Sequence, residues 1–364
     1  MPVEMIGWIA PRVSSEVLAP QGPPFNPDII AATARIHESA DFDRALIGYF
    51  TDAPDGFLIG AHAAAATTRL GLLLAHRPGF VAPTLAARKL ATLDQLSGGR
   101  LAVHIIAGGS DANQAKDGDF IDHAGRYRRV SEYIGLLRRT WTSMAPFDHA
   151  GEFYRVSGAY SDIRCKQSPH VPIYGGGGSH NAIQALASQV DHYMLWGEPL
   201  RETAEFMEEV RRAAAAAGKS PPRFSLSTRP ILAETDAKAW DRAHNILERV
   251  QAQSGGAARR KPENLGSQRL LAAAAVAEVH DTCLWMKLAE ATSARGNSTA
   301  LVGTPETVAQ ALLAYYKLGA TSLLIRGYEP LEDAKQYGDK LIPLVRSLVT
   351  EIDAQRLDRR TRSM

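Results

Sequence analysis

Arginine, histidine, aromatic residues and glycine recur at one kind of position in this chain: at the end of a short apolar run. Trp8, Pro11 and Arg12 follow the run at 3–10, and Tyr49, Thr51 and Asp52 follow the one at 44–50. His76, Arg77 and Pro78 close 69–76, and His104, Ala107, Gly108 and Ser110 lie in and after 101–109. Trp196 and Glu198, then Ser227, Thr228 and Arg229, then Arg326, Tyr328 and Glu329 stand at the later ends. This set has no carboxylate pair for acid–base hydrolysis, no His/Asp/Glu spacing for a metal, and no GxSxG nucleophile elbow. Arginines, histidines and aromatic rings suit an anionic ligand carrying a flat conjugated ring. The sharpest local signal is the run Tyr174-Gly175-Gly176-Gly177-Gly178-Ser179-His180-Asn181, which leaves an apolar run and opens a helix. Consecutive glycines let backbone N–H groups turn toward an anion, and Ser179 adds a hydroxyl donor, so the run reads as a phosphate-binding turn. A tight strand-to-helix turn is the alternative.

The elements that must position these residues alternate. Strand-like runs at 3–10, 44–50, 69–76, 101–109, 171–178, 190–197, 222–235 and 321–329 are nearly continuous in apolar residues. Such runs belong to parallel strands buried on both faces. Helical patterns fall between them, near 27–40, 56–66, 83–96, 126–144, 180–189, 200–217 and 236–253, and a last helix is expected over 331–348. Eight strands with intervening helices predict a (β/α)8 TIM barrel, one domain over 1–364, whose chemistry sits at the C-terminal strand ends. A doubly wound sheet fits less well, because no GxGxxG follows the first strand. The segment 254–298, polar and glycine-rich at its start, is expected as a lid-like insertion before the eighth strand.

Composition agrees with a globular enzyme. The chain has 364 residues, 45% of them apolar, and 41 Lys+Arg against 39 Asp+Glu leave a net charge of +2. That balance argues against a nucleic-acid or polybasic membrane surface. No apolar stretch is long enough for a transmembrane helix and no secretory signal opens the chain, so a cytoplasmic protein is expected. Two cysteines, Cys165 and Cys283, exclude a disulfide framework and fit a reducing compartment.

The stretches 83–109, 122–133, 172–199, 299–312 and 325–334 occur in the order in which the bacterial luciferase-like flavin monooxygenases carry similar stretches, and the chain resembles that family over nearly its whole length. Within it, the two-component alkanesulfonate monooxygenases are the nearest likeness. The resemblance implies reduced FMN as cofactor, delivered by a separate NAD(P)H:FMN reductase, with O2 as co-substrate. It also implies cleavage of the C–S bond of an alkane- or sugar-sulfonate to an aldehyde-type product plus sulfite, and a homodimer or homotetramer. It places Gly178, Ser179 and Tyr127 at the flavin phosphate, with His123 one helical turn earlier. His76, His104, Ala107 and Gly108 fall along the ring. Trp8, Arg77, Trp196, Arg229 and Arg295 fall around the substrate. Tyr328, Arg295 and Arg229 take catalytic roles, with Tyr328 as a hydrogen-bond or proton donor and the arginines holding the sulfonate.

The likeness has gaps at the pocket. Ser227 and Arg229 stand where the alkanesulfonate enzymes carry Arg and His, Ala53 matches a cysteine, and His104 replaces an asparagine. The scaffold is therefore better matched than the substrate. Three other readings stay open: a luciferase-like monooxygenase acting on a sulfone or other small substrate, a related barrel using the deazaflavin F420 for hydride transfer, and a flavin-holding relative without turnover.

Overall fold

The computed structural model describes residues 3–253, 262–296 and 298–362. Eight strands form a closed parallel barrel: β1 (Glu4–Ile9), β2 (Arg44–Ile47), β3 (Gly71–His76), β4 (Leu101–Ile105), β5 (Ile173–Gly176), β6 (His192–Trp196), β7 (Arg223–Leu232) and β8 (Ala320–Ile325). Each pairs in parallel with its sequence neighbours, and β8 closes on β1 through Met5↔Leu323. All eight expected strands are present and the barrel is a (β/α)8 TIM barrel.

The alternation of side chains explains why the strands read as continuous apolar runs. Ile6, Leu46, Leu73, Ala75, Ala102, Tyr174 and Leu324 fill the lumen. Met5, Ala45, Leu72, Leu74, Val103, Ile173 and Leu323 pack outward under the helices. Both faces are buried, so no polar residue marks the period of two. Glu4 lies among the lumen residues and accepts hydrogen bonds from Arg44 Nε (3.1 Å), Tyr174 Oη (2.8 Å) and Ser322 Oγ (2.7 Å). Burial opposes its charge, but Arg44 and these donors hold its carboxyl below the usual range.

Additions to the barrel lie in two places. An antiparallel hairpin pairs Phe147–Ala150 with Arg155–Ala159. Between β7 and β8, residues 265–276 form a helix, 279–280 and 284–285 a short hairpin, 287–291 a helical turn, and 300–303 a strand parallel to the end of β7. The part of the expected lid at 254–261, and residue 297, lie outside the described residues. The last helix runs longer than expected: Pro330–Gln336 passes through a π-turn at Tyr337–Leu341 into Ile342–Arg362. No helix among the described residues is long and apolar enough to cross a membrane.

Buried histidines, His37 and His76 among them, make the fold sensitive to acid. His37 takes the Trp8 N–H on Nε2 (3.2 Å) and donates from Nδ1 to the Thr33 carbonyl (2.8 Å), which fixes a neutral ring. His76 Nε2 lies 2.7 Å from Tyr133 Oη, whose hydroxyl donates to the Val81 carbonyl. Burial lowers both histidines to about 4, with Lys89 adding to the effect at His76. Unfolded histidines protonate near ~6.5, so between that pH and about 4 the unfolded chain binds more protons. Stability should therefore be full above pH ~6.5 and fall on acidification by up to about 1.4 kcal/mol per pH unit for each histidine. Urea unfolding midpoints measured from pH 7.5 to 5 check this; a flat profile would mean the rings are not held neutral.

Candidate active site

The C-terminal strand ends converge on one face, with β5 opposite β1 across the barrel. At the end of β5 the chain enters the glycine turn. The Gly177 carbonyl accepts from Tyr193 Oη (2.7 Å), and Ser179 Oγ accepts the Ala182 N–H (3.2 Å) as the cap of helix His180–Leu186. Tyr127, buried on helix His123–Thr142, stands beside Ser179; burial raises its pKa, and Arg126 and Ser179 oppose the shift. A Cβ on Gly177 would stand 2.4 Å from Tyr127 Oη and 2.6 Å from the Ala182 Cβ, so only glycine lets the backbone come this close. A Cβ on Gly178 would stand 3.3 Å from the Gly266 N, which brings the first turn of helix Leu265–Val276 over the glycine turn. Gly266 also lies against the Trp196 ring, and the Asp111 N–H donates to Glu263 (3.0 Å). The described start of the insertion therefore covers the ends of β4, β5 and β6. His123 is exposed, its ring 5.1 Å from that of Tyr127.

Beside this turn, the β3 and β4 ends hold buried polar atoms without protein partners. Gly108 has φ +91°, and a Cβ there would overlap the Gln114 amide. Gln114 is 1% exposed, and neither its Nε2 nor its Oε1 has a hydrogen-bond partner. Arg77, under the Tyr49 ring (4.3 Å) and 3.5 Å from Asp117, leaves Nε and Nη1 without a hydrogen-bond partner, and burial lowers its pKa. His104 follows Ala102 on the lumen side of β4, and burial brings it to about 4. Ala107 is buried beside it. Unpaired buried donors and acceptors carry a desolvation cost that a polar ligand relieves. Together with the glycine turn, they fit a phosphorylated flavin, whose polar ring edge and phosphate need such partners. Gln114 gives no signal in the sequence, because nothing in its spacing distinguishes it from a surface helix residue.

On the opposite side, the ends of β1, β2 and β8 enclose a cavity of about 450 Å3 lined by Trp8, Phe50, Ala53 and Arg326 and, from the loop after β1, by Arg12 and Glu16 among others. Arg229 borders it but is 1% exposed. Its Nη1 and Nη2 meet the two carboxylate oxygens of Glu16 at 2.9 and 3.0 Å, its Nε donates to the Arg326 carbonyl and its Nη2 to that of Gly327. Burial opposes ionisation of Glu16, but Arg229 and Arg326 hold it at about 2. The Tyr328 ring lies 3.8 Å beneath the Arg229 guanidinium and packs with Ile231, Trp285 and Val302 rather than lining the cavity. Its hydroxyl points to the Ser298 carbonyl (3.5 Å), and burial raises its pKa to about 12. Arg295 is exposed. The structure thus brings Tyr127, Gly178, Ser179 and Trp196 together on one side and His76, Arg77, His104, Ala107 and Gly108 on the neighbouring strand ends. Trp8 stands across the mouth, and Arg229 and Tyr328 form a packed pair behind it.

Comparison with known proteins agrees with this architecture. The model of the luciferase-like monooxygenase family matches residues 3–322. Among solved structures, the chain is similar to riboflavin lyase RcaE with modified FMN and riboflavin (19% identity, 95% of this chain and 92% of that one, TM-score 0.78). It is also similar to the EDTA monooxygenase EmoA from Chelativorans sp. BNC1 (17%, 95% and 94%, 0.76). A third likeness is to an F420-dependent secondary alcohol dehydrogenase in complex with an F420–acetone adduct (16%, 95% and 99%, 0.68). At these identities the structures show a shared fold, while the family match spans most of the sequence. The chain therefore belongs to the luciferase-like monooxygenase family and is a flavin-dependent monooxygenase.

Proposed function

We propose that this protein is the oxygenating half of a two-component system, taking reduced FMN from a separate NAD(P)H:FMN reductase and O2 as co-substrate. The observation that carries the reading is the glycine turn packed on Tyr127 and capped by Ser179, beside the unpartnered Gln114 amide and the Arg77 guanidinium, whose Nε and Nη1 make no hydrogen bond. Gly177, Gly178, Ser179 and Tyr127 would hold the phosphate, and His104, Ala107, Gly108, Gln114 and Arg77 would meet the ring. His76 acts one step back, fixing the end of β3 through Tyr133. When bound, reduced FMN supplies the two electrons with which one oxygen atom of O2 is reduced to water. The chain would contribute exclusion of water: in the described part of the insertion Gly266 lies against the Trp196 ring, and residues 262–296 would act as the cover of the mouth. Tyr328, with its pKa near 12, keeps its proton at neutral pH and serves to order the Arg229 side of the cavity.

The sulfonate expectation asks for arginines free to take a tetrahedral anion. Arg229 is engaged by Glu16, Arg77 lies under Tyr49, and Arg295 is exposed on the insertion. The cavity joins Trp8, Phe50, Ala53 and prolines to Arg12, Glu16, Asp52 and Arg326, so a small substrate with an apolar body and a polar end fits it. A deazaflavin cofactor is the second reading, supported by the likeness to the F420-dependent dehydrogenase.

Oxygen uptake with the protein, an FMN reductase and NADH tests the reading, using sulfonates, sulfones, ketones and amines as substrates and assaying sulfite in parallel. Substrate-coupled uptake with incorporation of 18O from O2 into product is expected. Uptake that yields only hydrogen peroxide with every substrate class would contradict it. Ser179→Ala removes one hydroxyl from the phosphate seat and should weaken reduced-FMN binding by about 10-fold, the worth of one charge-assisted hydrogen bond. Anaerobic fluorescence titration measures the change.

A further inference from the structure

The loop between β1 and helix Pro27–Ser39 is tied across the barrel mouth. Ser15 Oγ donates to the Tyr328 carbonyl (2.6 Å), Val17 is buried, the Val17 carbonyl accepts from Arg249 (3.2 Å), and the Asn26 N–H donates to the Pro11 carbonyl (3.0 Å). This strap delivers Glu16 to two arginines that come from the barrel itself. Arg229 is sealed and meets Glu16 through two parallel bonds. Arg326, 23% exposed at its side chain, reaches the same carboxylate at 3.2 Å and stands over the Trp8 ring (5.1 Å) at the cavity wall. Two guanidinium groups side by side are a seat for a carboxylate, sulfonate or phosphate. Here the chain fills that seat itself.

We propose that Glu16 is a specificity-determining residue: a built-in counter-anion that occupies the Arg229–Arg326 seat and restricts the cavity to substrates uncharged at the end that enters there. An anionic group would have to evict a carboxylate held bidentately by a buried arginine, or share the seat with it at the cost of like-charge repulsion. An uncharged group leaves the Glu16–Arg229–Arg326 cluster intact and meets the apolar wall beside it, which Arg12 and Asp52 also line. The inference rests on reading this cavity as the substrate side. Its test uses ligand binding without flavin or oxygen, so it can fail independently of the monooxygenase chemistry.

Methanesulfonate and dimethyl sulfone form a suitable probe pair, because one differs from the other only by O− in place of a methyl group. Binding of each is measured by NMR line broadening and by thermal stabilisation, at constant ionic strength with chloride as the control, for wild type, Glu16→Gln and Glu16→Ala. Wild type should favour the sulfone. Glu16→Gln, which keeps the shape and removes the charge, should reverse the preference by at least about 10-fold. Glu16→Ala should lose stability that methanesulfonate restores and chloride does not, since a ligand bound only to the folded state raises its melting temperature. If Glu16→Ala does not fold, the Glu16→Gln preference decides alone. Methanesulfonate binding to wild type as tightly as to both variants, or variants that keep the wild-type preference, would overturn the proposal.

Discussion

Arg229→Ala should destabilise the folded protein by about 3 kcal/mol or more, the cost of leaving one member of a buried ion pair uncompensated. The guanidinium is sealed, and its loss strands Glu16 against Arg326 alone, frees the Arg326 and Gly327 carbonyls, and removes the cation from the Tyr328 ring. Glu16 is 25% exposed at its side chain, so water recovers part of the loss, which places the estimate at the lower end of the range for buried pairs. Arg229→Lys should recover little, because an ammonium cannot make the fork of two parallel bonds and the two carbonyl contacts together. The double variant Glu16→Leu/Arg229→Met should be more stable than Arg229→Ala, since it removes both charges at once. Equilibrium urea unfolding reads all three; an Arg229→Ala loss below about 1 kcal/mol would show that the pair is not the anchor of the strap.

Gly177→Val should reduce affinity for reduced FMN by at least about 100-fold, equivalent to roughly 2.7 kcal/mol. The obstacle is local. The added carbon meets the Tyr127 hydroxyl and the Ala182 methyl, one on a buried side chain and the other at the start of a helix, so the turn itself must open. The barrel strands on either side do not depend on that turn, so the variant should retain its far-ultraviolet circular dichroism. Unchanged FMN affinity in a folded Gly177→Val protein would remove the glycine turn from the cofactor site.

The contrast between these two positions shows what a sequence can tell. Gly177 was legible because four glycines after an apolar run have few structural uses. The eight strands were legible because lumen and helix-facing residues are both apolar, so each strand appears as an uninterrupted run. Glu16 was not legible. It sits in a proline-rich loop with no periodicity, and its partners lie 213 and 310 residues away along the chain. Arg229 stood at a strand end, where substrate contact is the ordinary expectation, and only the folded strap reveals that a carboxylate has already met it. Gln114 illustrates a third case: its distinction is the lack of a partner when buried, a property that no residue type or spacing encodes. Within the insertion, the Ala-rich run at 271–275 reads as a helical piece, but the hairpin and the strand at 300–303 were not legible, because each is short and the strand packs on the end of β7 rather than on a core of its own.

The central claim is that the turn at the end of β5 holds the phosphate of reduced FMN. Its most direct test is an anaerobic titration of the wild-type protein and Gly177→Val with photoreduced FMN and, separately, with reduced F420. Saturable binding of reduced FMN to the wild type, lost in Gly177→Val and stronger than binding of F420, is the predicted result. Binding of reduced F420 alone, or of reduced FMN with equal affinity to both proteins, would contradict the account.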